Sequence, residues 1–114
     1  MSEPIHVGPV DEIEEGEAKV IDADDTGTGS DIAVFHSEEG GFYALDDECT
    51  HETASLADGW IEGNEVECPV HSARFCLTTG EALCLPATVN ARTHKVEVRD
   101  GEVLLYPGVS PTGE

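Results

Sequence analysis

Positively charged residues are scarce. The 114-residue chain has five Lys and Arg against twenty-five Asp and Glu, a formal net charge of -20 and a pI near 4.2. So few bases give phosphate backbones and anionic lipid nothing to bind, which excludes nucleic-acid and membrane-surface partners and leaves basic proteins as natural ones. Long apolar runs are also missing. None approaches the roughly 18 residues of a membrane span, and the start Met1-Ser2-Glu3-Pro4 lacks the basic-then-apolar pattern of a secretory signal, so a cytoplasmic protein is expected. At 12.1 kDa there is room for one small core, not for a catalytic domain beside a cofactor domain. Leu, Ile, Val and Phe still make up about 23% of residues, above the roughly 20% below which highly charged chains stay disordered. The chain is expected to fold as a single domain, 1–114.

The acidity is uneven. Residues 1–48 hold fifteen Asp and Glu against Lys19 alone, whereas 49–114 hold ten against four bases. There is no internal repeat and no low-complexity linker, and the Pro/Gly-rich tail from Pro107 reads as a frayed terminus.

Short apolar runs separated by turn residues predict an all-β domain of small antiparallel sheets. Ile32-Ala33-Val34-Phe35 and Phe42-Tyr43-Ala44-Leu45 flank Glu38-Glu39-Gly40-Gly41, one hairpin; Trp60-Ile61 and Val66-Glu67-Cys68 flank Gly63-Asn64, a second. Val96-Glu97-Val98 and Val103-Leu104-Leu105 flank Asp100-Gly101, a pair suited to the left-handed φ values of a type I′ turn. Lys19-Val20-Ile21 predicts another strand, and Glu52 to Asp58 a helical turn too short to carry a helical fold.

Two fragments carry chemistry: Cys49-Thr50-His51 and Cys68-Pro69-Val70-His71, with sixteen residues between His51 and Cys68. Each supplies one thiol and one imidazole. A structural zinc finger instead groups its cysteines in one knuckle and its histidines on a following helix. If the two loops face each other, the cysteines can bind one iron and the histidines a second, giving a [2Fe-2S] cluster of mixed ligation. Zinc in the same four ligands is the rival.

On these residues the chain resembles the Rieske [2Fe-2S] proteins, and within them the soluble ferredoxins of bacterial aromatic-ring-hydroxylating dioxygenases of the naphthalene and carbazole type. The likeness continues through Ala73-Arg74-Phe75-Cys76, the turn Thr79-Gly80-Glu81-Ala82-Leu83-Cys84, and Pro86, where the family places a loop that shields the cluster. It implies a Rieske fold with an inserted cluster-binding subdomain at about 47–86 on base strands from 1–46 and 87–107. It also implies one cluster, with Cys49 and Cys68 on the buried iron and His51 and His71 on the outer one. Its role would be a carrier rather than an enzyme: no catalytic residue, and electrons passed from an NAD(P)H-dependent flavin reductase to a terminal oxygenase. A Rieske-like small subunit of assimilatory nitrite reductase is the second reading, and a zinc-stapled binding module the third.

Departures from the quinol-oxidising branch refine the expectation. Where that branch pairs an extra cysteine in each ligand loop, this chain has Ala54 and Val70; where it has hydroxyl donors after the second histidine, this chain has Ala73 and Phe75. Hydrogen bonds to cluster and ligand sulfur favour the reduced, more negative state, so their loss lowers the potential.

The remaining candidates have plainer readings. Cys76 and Cys84 are expected as free thiols of a reducing compartment. His94 alternates with Val96 and Val98 and is expected to point into the core or its rim; His6 and His36 have no neighbouring ligand. Trp60 is expected to pack in the cluster subdomain, and Arg74 to pair with Glu65, Glu67 or Glu81. The acidity fits both steering towards a basic partner and adaptation to a salt-rich cytoplasm.

The first prediction follows from the missing hydroxyl donors. Voltammetry is expected to find a reduction potential toward the bottom of the roughly -150 to +300 mV Rieske range; a value at the upper end contradicts the argument.

Overall fold

The computed structural model describes residues 4–48, 55–69, 74–84 and 90–109. Among the described residues ten strands form two antiparallel sheets. The larger contains β1 (Ile5–Pro9), β2 (Ala18–Ile21), β3 (Ile32–His36), β4 (Phe42–Asp46), β9 (Thr93–Arg99) and β10 (Glu102–Tyr106), in the order β1-β10-β9-β4-β3-β2. The smaller contains β5 (Trp60–Glu62), β6 (Glu65–Glu67), β7 (Arg74–Cys76) and β8 (Ala82–Cys84), joined in sequence order. One short helix, α1 (Ala23–Thr26), and 3-10 turns at Val10–Glu12 and Leu56–Asp58 complete the described elements. Among the described residues no helix is long and apolar enough to cross a membrane.

All three hairpins expected from the sequence form. β3 pairs with β4, β5 with β6 and β9 with β10. At the last, Asp100 and Gly101 have φ of 54° and 79°, as a type I′ turn requires. β1 lies outside the sequence-based expectation because Gly8 and Pro9 interrupt it; the register with β10 shifts between His6 and Gly8. α1 starts where the Asp22 side chain accepts the Asp24 N–H (2.9 Å) and stops at Gly27, φ 70°.

The larger sheet curls around its own core. Val7, Ile21, Ile32, Val34, Ala44, Val103 and Leu105 share one buried cluster with partly buried Val96, so all six strands contribute, including both edges. Lys19 spans those edges. Its ammonium on β2 donates to the carbonyl of Val7 on β1 (2.9 Å) and pairs with Glu12 (2.7 Å). The one base of the acidic N-terminal segment thus closes the sheet.

A second core lies between the two sheets. Ala33, Phe35 and Leu45 of the larger sheet meet Val66 and Phe75 of the smaller, with Leu56, Cys68, Leu77 and Ala91 filling the perimeter. β3 therefore buries both faces, Ile32 and Val34 on one side, Ala33 and Phe35 on the other. Each fully buried Ile, Val or Phe contributes about 1.5–3 kcal/mol. Polar stitches fix the docking. Buried Ser37 donates to the Gly63 carbonyl (2.8 Å), and the Ala91 N–H donates to the Gly80 carbonyl (2.7 Å). Gly80, at φ 76°, brings its backbone so near Ala91 that a Cβ would lie 2.1 Å from the Ala91 carbonyl oxygen.

His94 is buried, as the alternation with Val96 predicts, although the pattern fades at Val98, which is 49% exposed. The Gly108 N–H donates to His94 Nδ1 (2.9 Å), so the ring proton sits on Nε2 and donates to Asp46 Oδ1 (2.7 Å). Both ring nitrogens are satisfied in the neutral form. Burial pushes the His94 pKa below its ordinary value against the opposing pull of Asp46. A group with a depressed folded-state pKa binds protons more readily when unfolded, so its contribution is complete above the unfolded value near 6.5 and declines as pH falls below it. Urea unfolding between pH 7 and 5 is expected to show that loss in the wild type and a flatter profile in His94→Gln.

Candidate metal centre

Of the four expected ligands, Cys68 is described; Cys49, His51 and His71 lie outside the described residues, as do Ala54, Val70, Ala73 and Pro86. Cys68 directly follows β6. The pairing of Glu67 with Arg74 sets the start of β7 beside the end of β6, next to Cys68. Cys68 is 1% exposed and belongs to the inter-sheet core with Leu56, Val66 and Phe75. Phe75 is itself fully buried, an apolar ring where a hydroxyl donor would be needed to stabilise negative charge.

The described residues on either side of the first expected ligand segment are anchored close by. An isolated bridge between Glu48 and Ser55 brings together the residues flanking 49–54. Asp47 holds the returning chain: its carbonyl accepts the Leu56 N–H (2.7 Å) and its Oδ1 accepts the Ala57 N–H (2.9 Å). That 3-10 turn is the described remainder of the helical turn expected over 52–58. It plants Leu56 in the same apolar cluster as Cys68 and leads to Gly59, which lies against the strand preceding Cys68: a Cβ there would meet the Glu67 carbonyl oxygen at 1.9 Å. The described residues that flank the two expected ligand segments thus share one base. Sequence reading passed over Asp47 and Gly59. Asp47 sits in the acidic run Asp46-Asp47-Glu48, and nothing local marks Gly59 as a close approach.

The donor chemistry suits an iron-sulfur cluster. Cys68 is a sulfur donor in an apolar, water-excluding surround, and the chain offers one more thiol and two imidazoles at the spacing of mixed ligation. Among the described residues no three His, Cys, Asp or Glu converge on a point, since three of the four expected donors are not among them.

Arg74, beside the second loop, pairs with Glu62 (3.4 Å), Glu65 (3.4 Å) and Glu67 (3.1 Å); Glu62 stands in place of the expected Glu81. The hydrogen bond and charge of Glu62, then Glu65, raise the guanidinium's pKa above its ordinary value. Trp60 departs from expectation. It is 61% exposed, because β5 is a sheet edge and its pairing opposite Glu67 places it on the face turned away from Val66 and Phe75. Cys76 is a free thiol, and the register sets Cys84 opposite Arg74 rather than Cys76. Burial raises the Cys76 pKa, but hydrogen bonding with Thr78 (3.0 Å) and Thr79 outweighs it and leaves it lowered. His6 pairs with Glu102 on the surface (2.8 Å), and His36 stacks on Phe42 with its Nδ1 2.8 Å from the Ile13 carbonyl.

Comparison with known proteins agrees with this layout. A family model described as the Rieske [2Fe-2S] domain matches residues 3–105. The chain is 44% identical to the 3-phenylpropionate/cinnamic acid dioxygenase ferredoxin subunit of Photorhabdus laumondii subsp. laumondii, over 89% of this chain and 91% of that protein. The ferredoxin of carbazole 1,9a-dioxygenase from Nocardioides aromaticivorans IC177 superposes with a TM-score of 0.83 at 30% identity, covering 93% of this chain and 99% of that one. A chain of the complex of reduced oxygenase and oxidised ferredoxin in carbazole 1,9a-dioxygenase superposes at 0.82 and 31% identity, covering 91% and 93%. A putative NADH-dependent nitrite reductase small subunit from Mycobacterium tuberculosis, at 20% identity and a TM-score of 0.79 over 92% of this chain and 95% of that one, shares the fold alone.

That shared base can be tested at Gly59. Gly59→Ala is expected to push the 3-10 turn away from Glu67 and to lower both the thermal midpoint and the iron content per chain. Wild-type values for both contradict the close approach.

Proposed function

The chain belongs to the Rieske [2Fe-2S] domain family, and from that membership we propose that it carries single electrons, as the ferredoxin component of a dioxygenase system acting on an aromatic compound. The supporting observation is the pair of loops Cys49-Thr50-His51 and Cys68-Pro69-Val70-His71 in a chain 44% identical to a dioxygenase ferredoxin subunit along nearly its whole length. In this reading one cluster is held, with Cys49 and Cys68 on one iron and His51 and His71 on the other, inside a subdomain of about 47–86. When bound, the cluster supplies a one-electron redox change.

The chain's own residues set the conditions for that change. The Cys68 side chain leaves water for an apolar surround of Leu56, Val66 and Phe75, and a medium of low polarity stabilises added negative charge poorly. The excess of twenty acids over bases acts in the same direction, and both keep the potential low. All four ligand positions are filled by protein, which leaves no open place for substrate and makes the chain a carrier rather than a catalyst. Electrons arrive from an NAD(P)H-dependent flavin reductase and leave to a terminal oxygenase, within the cytoplasm. The acidic surface attracts both partners through basic patches, an attraction that salt screens over about 10 Å at 0.1 M.

EPR of the dithionite-reduced protein tests the assignment. A red-brown protein with the low average g of mixed His/Cys ligation is expected, and His71→Ala is expected to lose it. A colourless protein carrying stoichiometric zinc, or an unchanged signal in His71→Ala, overturns the reading.

A further inference from the structure

Trp60 is the chain's single tryptophan, and more than half of it is exposed. Strand pairing sets Trp60 opposite Glu67 and Glu67 opposite Arg74, one row across the outer face of the small sheet; Glu62 and Glu65 form the next row. With Ile61 these side chains line a groove of about 350 Å³. The row runs into the second ligand loop, since Cys68 follows Glu67 and residues 70–73 precede Arg74.

An exposed indole bordered by carboxylates suits a planar cation. The ring face attracts a cation through its quadrupole, and a guanidinium can stack on the ring while its fork hydrogen-bonds a carboxylate. The glutamates already hold one guanidinium, that of Arg74, at 3.1–3.4 Å. Three carboxylates against that single cation leave the face with two negative charges. Among the described residues the cation–π pair is Lys95 over Tyr106, so none of their cations covers the Trp60 ring. Tryptophan and arginine are also the side chains that most often dominate binding energy at protein interfaces.

We propose that Trp60, Glu62 and Glu67 form a docking face for a redox partner protein that presents an arginine, whose guanidinium stacks on Trp60 and pairs with the glutamates. The proposal rests on the electron-carrier reading and adds where the partner sits and what it must offer. Docking there brings the partner beside the second ligand loop.

The test uses the cluster-loaded protein and a hexa-arginine peptide at low ionic strength, followed by Trp60 emission, which in a single-tryptophan chain reports on this face alone. A saturable change in emission is expected. Glu62→Gln/Glu67→Gln is expected to weaken binding about ten-fold, and Glu14→Gln/Glu15→Gln, an equal loss of charge on an exposed segment of the other sheet's connections, less than about two-fold. Equal weakening by both pairs, or calorimetric binding without any emission change, overturns the docking face. EPR of the same samples separates the two failures. A normal cluster signal beside an unresponsive Trp60 overturns the docking face alone, and absence of that signal overturns the carrier reading together with the partner named here.

Discussion

A strand without a solvent-facing side holds the molecule together. Ile32 and Val34 of β3 point into the curled sheet, Ala33 and Phe35 into the space between the sheets, and all four are fully buried. Strands of this kind are more familiar from the middle of helix-covered sheets; here the cover is the protein's own second sheet. The small sheet depends on this arrangement. Val66 and Phe75 have three-residue strands around them and need Phe35 and Leu45 to complete a core. Short strands with one apolar face are marginal alone, so the small sheet, with Cys68 at the end of β6, keeps its place only when the larger sheet has formed.

This dependence explains what could be read in advance. Ile32 to Phe35 announces a strand by composition, and Asp100-Gly101 announces its turn by backbone chemistry, because both signals are local. The two Cys/His fragments stand out in the sequence for the same reason, being short, rare residue types at fixed spacing. Other features depend on distant contacts. β1 gains its place from pairing with β10 almost a hundred residues away and carries two residues that argue against a strand. Trp60 reads as core by residue type, yet register and an edge position decide otherwise. Asp47 reads as one more surface acid and is a nearly buried clamp on two backbone amides.

Charge has the same double character. Four of the five bases are engaged inside the chain's own structure: Lys19 across the sheet edges, Arg74 among three glutamates, Arg99 with Glu97, and Lys95 over Tyr106. Little positive charge remains to offset the acids outside. The field offered to an approaching molecule is therefore almost uniformly negative, which favours encounter with any basic surface and leaves selection to features of shape and chemistry beside the ligand loops.

The closure of the larger sheet has a further consequence. An open sheet presents two rows of unpaired amides and carbonyls on which a strand from another molecule can build, the usual start of edge-to-edge aggregation. Here β1 and β2, the outermost strands, share one apolar cluster, and the Lys19 ammonium occupies the Val7 carbonyl between them. One lysine thus blunts the edge of the larger sheet against such growth, an effect added to the repulsion among the acids. That protection is short-ranged and hydrogen-bonded, so it should persist at salt concentrations that screen the long-range repulsion away.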